Sequence, residues 1–312
     1  MTETLAAWSL VGVYSAAAVY LIAFVLYVMD LSGRTAAAPV AATASASAGG
    51  STVVAEKVDA PAAASTRWTR TALALTVVGW VVHVAATLMR GIAAERVPWA
   101  NMFEFALTGT AIIVGVFLGA QLWKPLSYLG AYVTGLVVLL LTLATVNFYV
   151  DVVPLPPALQ SGWLVFHVLV AILGTGFFAL GAGLSILQLV QQRRERGAMR
   201  GPRFLATLPA SEGLERLAYR LNVVGFVFWT FTLIAGAIWA ERAWGRYWGW
   251  DTKEVWTFVI WVVFAGYIHA RATQGWRGSR SAWLAIIGFA AVLFNFTVVN
   301  LFFKGLHAYS GL

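Results

Sequence analysis

The chain has 312 residues, is 60% hydrophobic and 11% charged, and carries a formal net charge of +8. A water-soluble domain of this size carries roughly 25% charged residues, so the composition excludes a soluble globular fold and makes lipid the solvent for much of the surface. With no cysteine, the chain forms no disulfide and no thiolate metal site of its own, and any thiol chemistry belongs to a partner.

Eight bulky apolar stretches lack a charged residue. They lie between Glu3 and Asp30, Arg70 and Arg90, Glu104 and Lys124, Lys124 and Asp151, Asp151 and Arg193, Arg220 and Glu241, Glu254 and Arg271, and Arg280 and Lys304. Most reach the roughly 20 residues that a spanning helix needs; the Glu254–Arg271 run is the shortest and must borrow from its flanks. The expected fold is an all-α polytopic membrane protein of about eight transmembrane helices.

Residues 1–30 form the first of these helices. They lack a positively charged start, and their apolar run exceeds the roughly 7–15 residues of a signal peptide's core, so the helix reads as retained. Residues 31–68, including TAAAPVAATASASAGGS, have too little bulk to pack a core and read as a disordered Ala/Ser-rich linker. Residues 69–312 hold the other seven helices. Helix 2 (about 70–90) leads into GIAAERVPWANMFEF, and helices 3 and 4 form a hairpin around WKPLS. The Pro-rich VDVVPLPPALQSGW precedes helix 5, and the Arg-rich QQRRERGAMRGPR precedes helix 6. A tryptophan-rich loop, 239–261, joins helices 6 and 7, and a short basic turn leads to helix 8.

If the N-terminus lies outside, fifteen of the 21 basic residues fall on cytoplasmic segments. The positive-inside rule therefore puts both termini and the tryptophan loop outside, with the Arg-rich loops in the cytoplasm. That asymmetry accounts for the net charge and gives no reason to invoke nucleic acid.

The stretch WAERAWGRYWGWDTKEVWTFVIW gathers six of the fifteen tryptophans and six charged residues. Trp collects at any lipid–water boundary, and that reading suffices for Trp8, Trp68, Trp123 and Trp283. It fits Trp244, Trp248 and Trp250 less well, because they crowd one loop with Gly245 and Gly249, which permit close backbone approach to a large ligand. Only four histidines exist. His167 lies near the outer end of helix 5 and His307 follows helix 8, both on the side of the tryptophan loop. His83 and His269 lie inside helices 2 and 7. An ionisable side chain within the membrane marks a functional site by default; its plainer use is an interhelical hydrogen bond. Imidazole is also a common axial ligand of haem iron, and a macrocycle needs a flat aromatic floor.

WGRYWGWDTKEVW resembles the signature of the haem-handling WWD-domain superfamily, and the wider pattern resembles its CcsA/ResC branch of System II cytochrome c biogenesis. RVPWANMFEF resembles that branch's P-x-x-N-x-Y-E box, with Phe103 where Tyr is usual. LQSGWLVFHV, YIHAR and GLHAYSG resemble the segments carrying the first external, the transmembrane and the second external histidine. The resemblance covers roughly residues 70–312.

It implies that haem b enters from the cytoplasmic side of a bacterial-type plasma membrane and is presented outside. There it is joined to the CXXCH motif of an apocytochrome c, in a holocytochrome c synthase acting with a ResB-type membrane partner and a thiol-reducing thioredoxin-like protein. Carried over, His167 and His307 are the iron ligands of the external haem, and Trp244, Trp248, Trp250 and Asp251 form its platform. His269 binds a transmembrane haem. His83 is a candidate for the opposite face of that iron, although it lies about 10 Å below the outer surface and His269 about 22 Å, at roughly 1.5 Å per residue. A partner subunit is the other source of that ligand. Lys253 is a candidate propionate partner, with Arg90 and Arg96 as alternatives, while Asn101 and Glu104 brace the site. Two other functions fit the composition: a haem b electron-transfer subunit, and a small-molecule transporter with an aromatic gate.

Overall fold

The computed structural model describes residues 2–34, 66–153, 155, 159–198 and 203–307. The expected linker falls almost wholly outside these, as do 308–312 of the closing segment. Eight helices are long and apolar enough to cross a membrane, and among the described residues there is no strand. The protein is an all-α integral membrane protein.

The helices are α1 (Thr2–Gly33), α2 (Arg67–Ala94), α3 (Met102–Trp123), α4 (Gly130–Asn147), α5 (Gly162–Glu195), α6 (Ser211–Trp244), α7 (Thr252–Thr273), α8 (Ser279–Phe296) and a short α9 (Val298–Phe302). As the shortest run required, α7 takes Lys253, Glu254 and Arg271 into the helix. The run between Arg280 and Lys304 is not one helix: it breaks at Thr297, between α8 and α9.

Water gives little drive for helix association inside a bilayer, so close approach through small residues and interhelical hydrogen bonds hold the bundle together. The α1–α2 pair shows both. The Cα-only faces of Gly12 and Gly79 sit against Ala86 and the Tyr20 ring, while Ser9 donates to the Ala86 carbonyl at 2.8 Å. In the centre, α5 and α6 run side by side for 34 residues each, about 50 Å at 1.5 Å per residue, which exceeds the membrane core. Their contact rests on Gly174 against the Gly225 carbonyl and on Gly181 against Asn222. Phe178 of α5 stacks on Phe264 of α7 at 3.6 Å.

At one end of the bundle Arg271 pairs with Glu215 at 2.7 Å, and Glu215 also accepts from the Gly278 amide, which pins the α7–α8 turn to α6. At the other end lie the α2–α3 loop, the tryptophan loop and the segment after α9. α7 is the least embedded spanning helix, with only Glu254, Ile260, Phe264 and Tyr267 buried.

Candidate functional site

The tryptophan loop owes its shape to its charges. Gly245 ends α6 in the left-handed conformation (φ +71°), where a missing side chain relieves strain. Asp251 then caps α7 by accepting from the Lys253 amide at 2.8 Å. Glu254 reaches back to accept from the amides of Asp251 at 3.1 Å and Gly249 at 2.8 Å, completing a capping box. Both carboxylates thus build the loop.

Asp251 does more than cap. Its second oxygen accepts from the Leu306 amide at 2.7 Å, and its first faces His307 Nδ1 at 3.3 Å. Gly305 makes this possible, since a Cβ there would run into the carboxylate. Burial pushes the Asp251 carboxyl up, but hydrogen bonds from His307 and from the Lys253 and Leu306 amides outweigh it and hold it down to about 2. A carboxylate can only accept, so His307 carries a proton on Nδ1, and in the neutral imidazole Nε2 is then the nitrogen with the lone pair.

His167 reaches the same state by another route. Its Nδ1 lies 2.9 Å from the Thr232 carbonyl, which also only accepts, so Nε2 again bears the lone pair. The ring fits because residue 236 is Gly: a Cβ there would lie 2.7 Å from His167 Cε1. Trp239, one turn further along α6, lies nearly parallel to the His167 ring with centroids 5.8 Å apart and meets His307 edge-on at 5.4 Å. Because both imidazoles flank one indole at those distances, their centroids lie within about 11 Å of each other.

Both histidines line one partly open cavity of about 220 Å3, together with Trp99, Trp239, Trp248 and Lys253. Its deeper walls come from α3, α5 and α8 and include Phe105, Ile113, Val292 and Leu293. Trp244 packs edge-on against Trp239 at 4.7 Å and His307 at 4.8 Å. Trp250 stands apart: it is 78% exposed, has φ +58° and touches the site through Trp248, 5.9 Å away.

The other expected residues lie elsewhere. His83 is fully buried and hydrogen-bonds the Tyr20 hydroxyl at 3.3 Å, inside the α1–α2 pair. His269 is exposed on α7, and α2 and α7 do not pack against each other, so the chain does not bring these two imidazoles together. Arg90 and Arg96 both bind the buried Glu104, at 3.1 and 2.5 Å, and donate to the Val150 and Val153 carbonyls. Asn101 caps α3 by accepting from the Glu104 amide. This cluster ties α3 to the end of α2 and to the α2–α3 loop. Phe103 packs edge-on against Tyr149 at 5.1 Å within it, with the Arg90 guanidinium 5.4 Å from its ring. Lys253 lines the cavity, and its ammonium donates to the Asn295 carbonyl and to Asn300 Oδ1, each at 2.7 Å.

Thr232, Gly236, Trp239, Asn295 and Asn300 escaped the sequence reading. The first three recur at helical spacing on one face of α6, which is a signal, but nothing in the sequence joins that face to His167.

The family model described as "Cytochrome C assembly protein" matches residues 99–307, from Trp99 at the cavity wall to His307. The "Cytochrome c biogenesis protein CcsA" of Guillardia theta is 36% identical over 234 residues, covering 69% of this chain and 77% of that protein. That of Trieres chinensis is 31% identical over 282 residues, covering 79% and 89%. Among solved structures, "Cytochrome c Heme Lyase CcmF" superposes with a TM-score of 0.65 at 18% identity; the match covers 98% of this chain and 48% of that longer one, and shows a shared fold. From the matched span and the relatives at these identities, the chain belongs to the cytochrome c assembly protein family.

Proposed function

We propose that this protein acts in cytochrome c maturation, holding haem b between His167 and His307 and presenting it outside the membrane for covalent attachment to apocytochrome c. The observation that carries the reading is the shared tautomer: each Nδ1 is engaged by an acceptor, which fixes ring orientation and makes Nε2 the metal-binding nitrogen. Gly236 and the aromatic walls of Trp99, Trp239 and Trp248, with Trp244 packed against Trp239, supply an apolar cradle. These residues suit a porphyrin. Asp251 and the Thr232 carbonyl act as positioning groups for the two imidazoles.

The reaction joins two cysteine thiols of a CXXCH motif to the two haem vinyl groups. Each sulfur bonds to a vinyl carbon, the C=C π bond breaks, and the thiol hydrogen ends on the neighbouring carbon, with no net oxidation. The chain contributes position: fixing one reactant converts an encounter into an oriented approach. Two imidazole ligands also influence the iron's potential. Having no cysteine, the protein relies on a thioredoxin-like partner to keep the substrate thiols reduced.

His269 reads as one ligand of a second, transmembrane haem, with its opposite ligand supplied by a ResB-type partner against α7. An exposed imidazole on a membrane helix is costly, and α7 is the helix with most surface left to cover. His83, tied to Tyr20, serves helix packing in this reading, which also disfavours an electron-transfer subunit built on paired mid-membrane histidines. Residues 69–312 form the haem-handling unit, with 1–30 joined to it by the 31–68 linker. The tryptophan loop and both termini face outside.

The test is a strain lacking this protein, co-expressing an apocytochrome c reporter and complemented with wild type or a His167→Ala/His307→Ala double variant. Covalent haem on the reporter should return with wild type only, and added imidazole should partly restore it in single variants. A reporter that matures fully without the protein rejects the proposal.

A further inference from the structure

One corner of the cavity is polar where the rest is apolar, and its groups are incompletely satisfied. α8 ends at Phe296, so the Asn295 carbonyl is one of the orphan acceptors of a helix C-terminus. Lys253 donates to it and to Asn300 Oδ1, two neutral oxygens. An ammonium has three N–H donors, which leaves one beyond these bonds on a side chain that lines the cavity.

The Asn295 amide beside it is fixed in orientation. Thr257 spends its hydroxyl hydrogen on the Lys253 carbonyl at 2.8 Å, so it can only accept from Asn295, whose Nδ2 lies 3.3 Å away. Asn295 Oδ1 is therefore the end left over. The residue is 5% exposed and lines the cavity, and Oδ1 has no hydrogen-bond partner. A buried acceptor without a donor is costly to leave unpaired, so a bound ligand that supplies a donor is favoured there.

A cation with a spare donor beside an acceptor without one matches a carboxyl edge: an ionised oxygen for Lys253, and a protonated carboxyl or its bound water for Asn295. We propose that Lys253 and Asn295 dock the propionate edge of the porphyrin and so set which half of the ring meets the incoming thiols. This rests on the haem-presenting reading of the site and adds its orientation. The rest of the cavity wall is apolar, with Ile113 of α3 and Leu164 and Val168 of α5 among the side chains that form it. They receive the opposite half of the macrocycle, which carries the vinyl groups.

The experiment titrates purified full-length protein in nanodiscs with three ligands: haem b, its dimethyl ester and mesohaem, whose vinyls are ethyls. Absorbance reads imidazole ligation and affinity together. Mesohaem should bind within about threefold of haem b, and the ester at least about tenfold more weakly, the scale of losing a charged hydrogen bond. In Lys253→Met the preference for haem b over its ester should collapse towards unity. Taking this ratio within each protein cancels partial misfolding and the ester's greater solubility in lipid. Asn295→Val, which leaves Lys253 in place, should reduce the preference severalfold and serves if the Lys253 variant does not fold. Equal binding of acid and ester by wild type, or an unchanged preference in both variants, overturns the proposal. Failure of every porphyrin to bind instead rejects the haem-presenting site itself.

Discussion

His83 and His167 are both imidazoles in membrane helices, yet their surroundings differ in kind. His83 sits in the α1–α2 pair with Tyr20 on its Nδ1, away from the walls of the cavity that His167 lines. His167 has a backbone carbonyl on Nδ1, a glycine in place of a neighbouring side chain, and a cavity wall shared with His307 and four tryptophans. The first pattern joins two helices. The second fixes a tautomer and leaves room for a ligand. An intramembrane histidine is thus read less from its own position than from what faces it.

Three changes would break or sharpen that contrast. The largest effect is expected for Gly236→Val, whose added carbons occupy the His167 ring position. Haem affinity should fall at least roughly 100-fold, the upper end for disturbing a metal ligand's support, as read by spectral titration; near-normal binding would show that His167 is not held against α6 when ligated.

Asp251→Asn should cost about 10-fold in haem affinity, the lower end of the same range, because a neutral amide orients His307 less firmly. Its pH signature has a definite sign. The folded carboxyl is held at about 2, below its ordinary 3.8, so its stabilising contribution is complete above pH 4 and is lost as pH falls through about 2. The Tm gap between wild type and Asp251→Asn should close as pH falls from 4 towards 2. A gap that persists undiminished at pH 2 would contradict the assigned hydrogen bonds.

The smallest effect on haem is expected for His83→Phe. Removing the partner of Tyr20 costs roughly 1–3 kcal/mol, visible as a lowered Tm, while the haem spectrum should not change. Loss of a haem signal in this variant would make His83 a ligand and erase the contrast.

The spanning helices were legible because lipid enforces them: every backbone group must be satisfied within the segment, and charge is excluded over about 20 residues. Even the shortage of residues in α7 was visible, down to the charged flanks it recruits. The break at Thr297 was not, because no Pro or Gly marks it and the Lys253 bond that caps Asn295 comes from a different helix. Within the site, the tryptophan motif and the histidines stood out by composition. Asn295 and Gly236 did not, since an asparagine or glycine in an apolar run carries no mark of what it will face.

By itself the sequence determined an eight-helix membrane protein with a cluster of tryptophans and two of its histidines at one end. Patterns of charge and apolar length act along the chain, and so they can be read along it. Which imidazoles share a cavity, which nitrogen each leaves free, and that His83 and His269 are kept apart were decided only by the tertiary structure. Those properties depend on distances between residues 56 to 186 positions apart, or on a glycine opposite a ring. Helix packing sets such distances through side-chain shape and interhelical hydrogen bonds, and neither is written in any single segment.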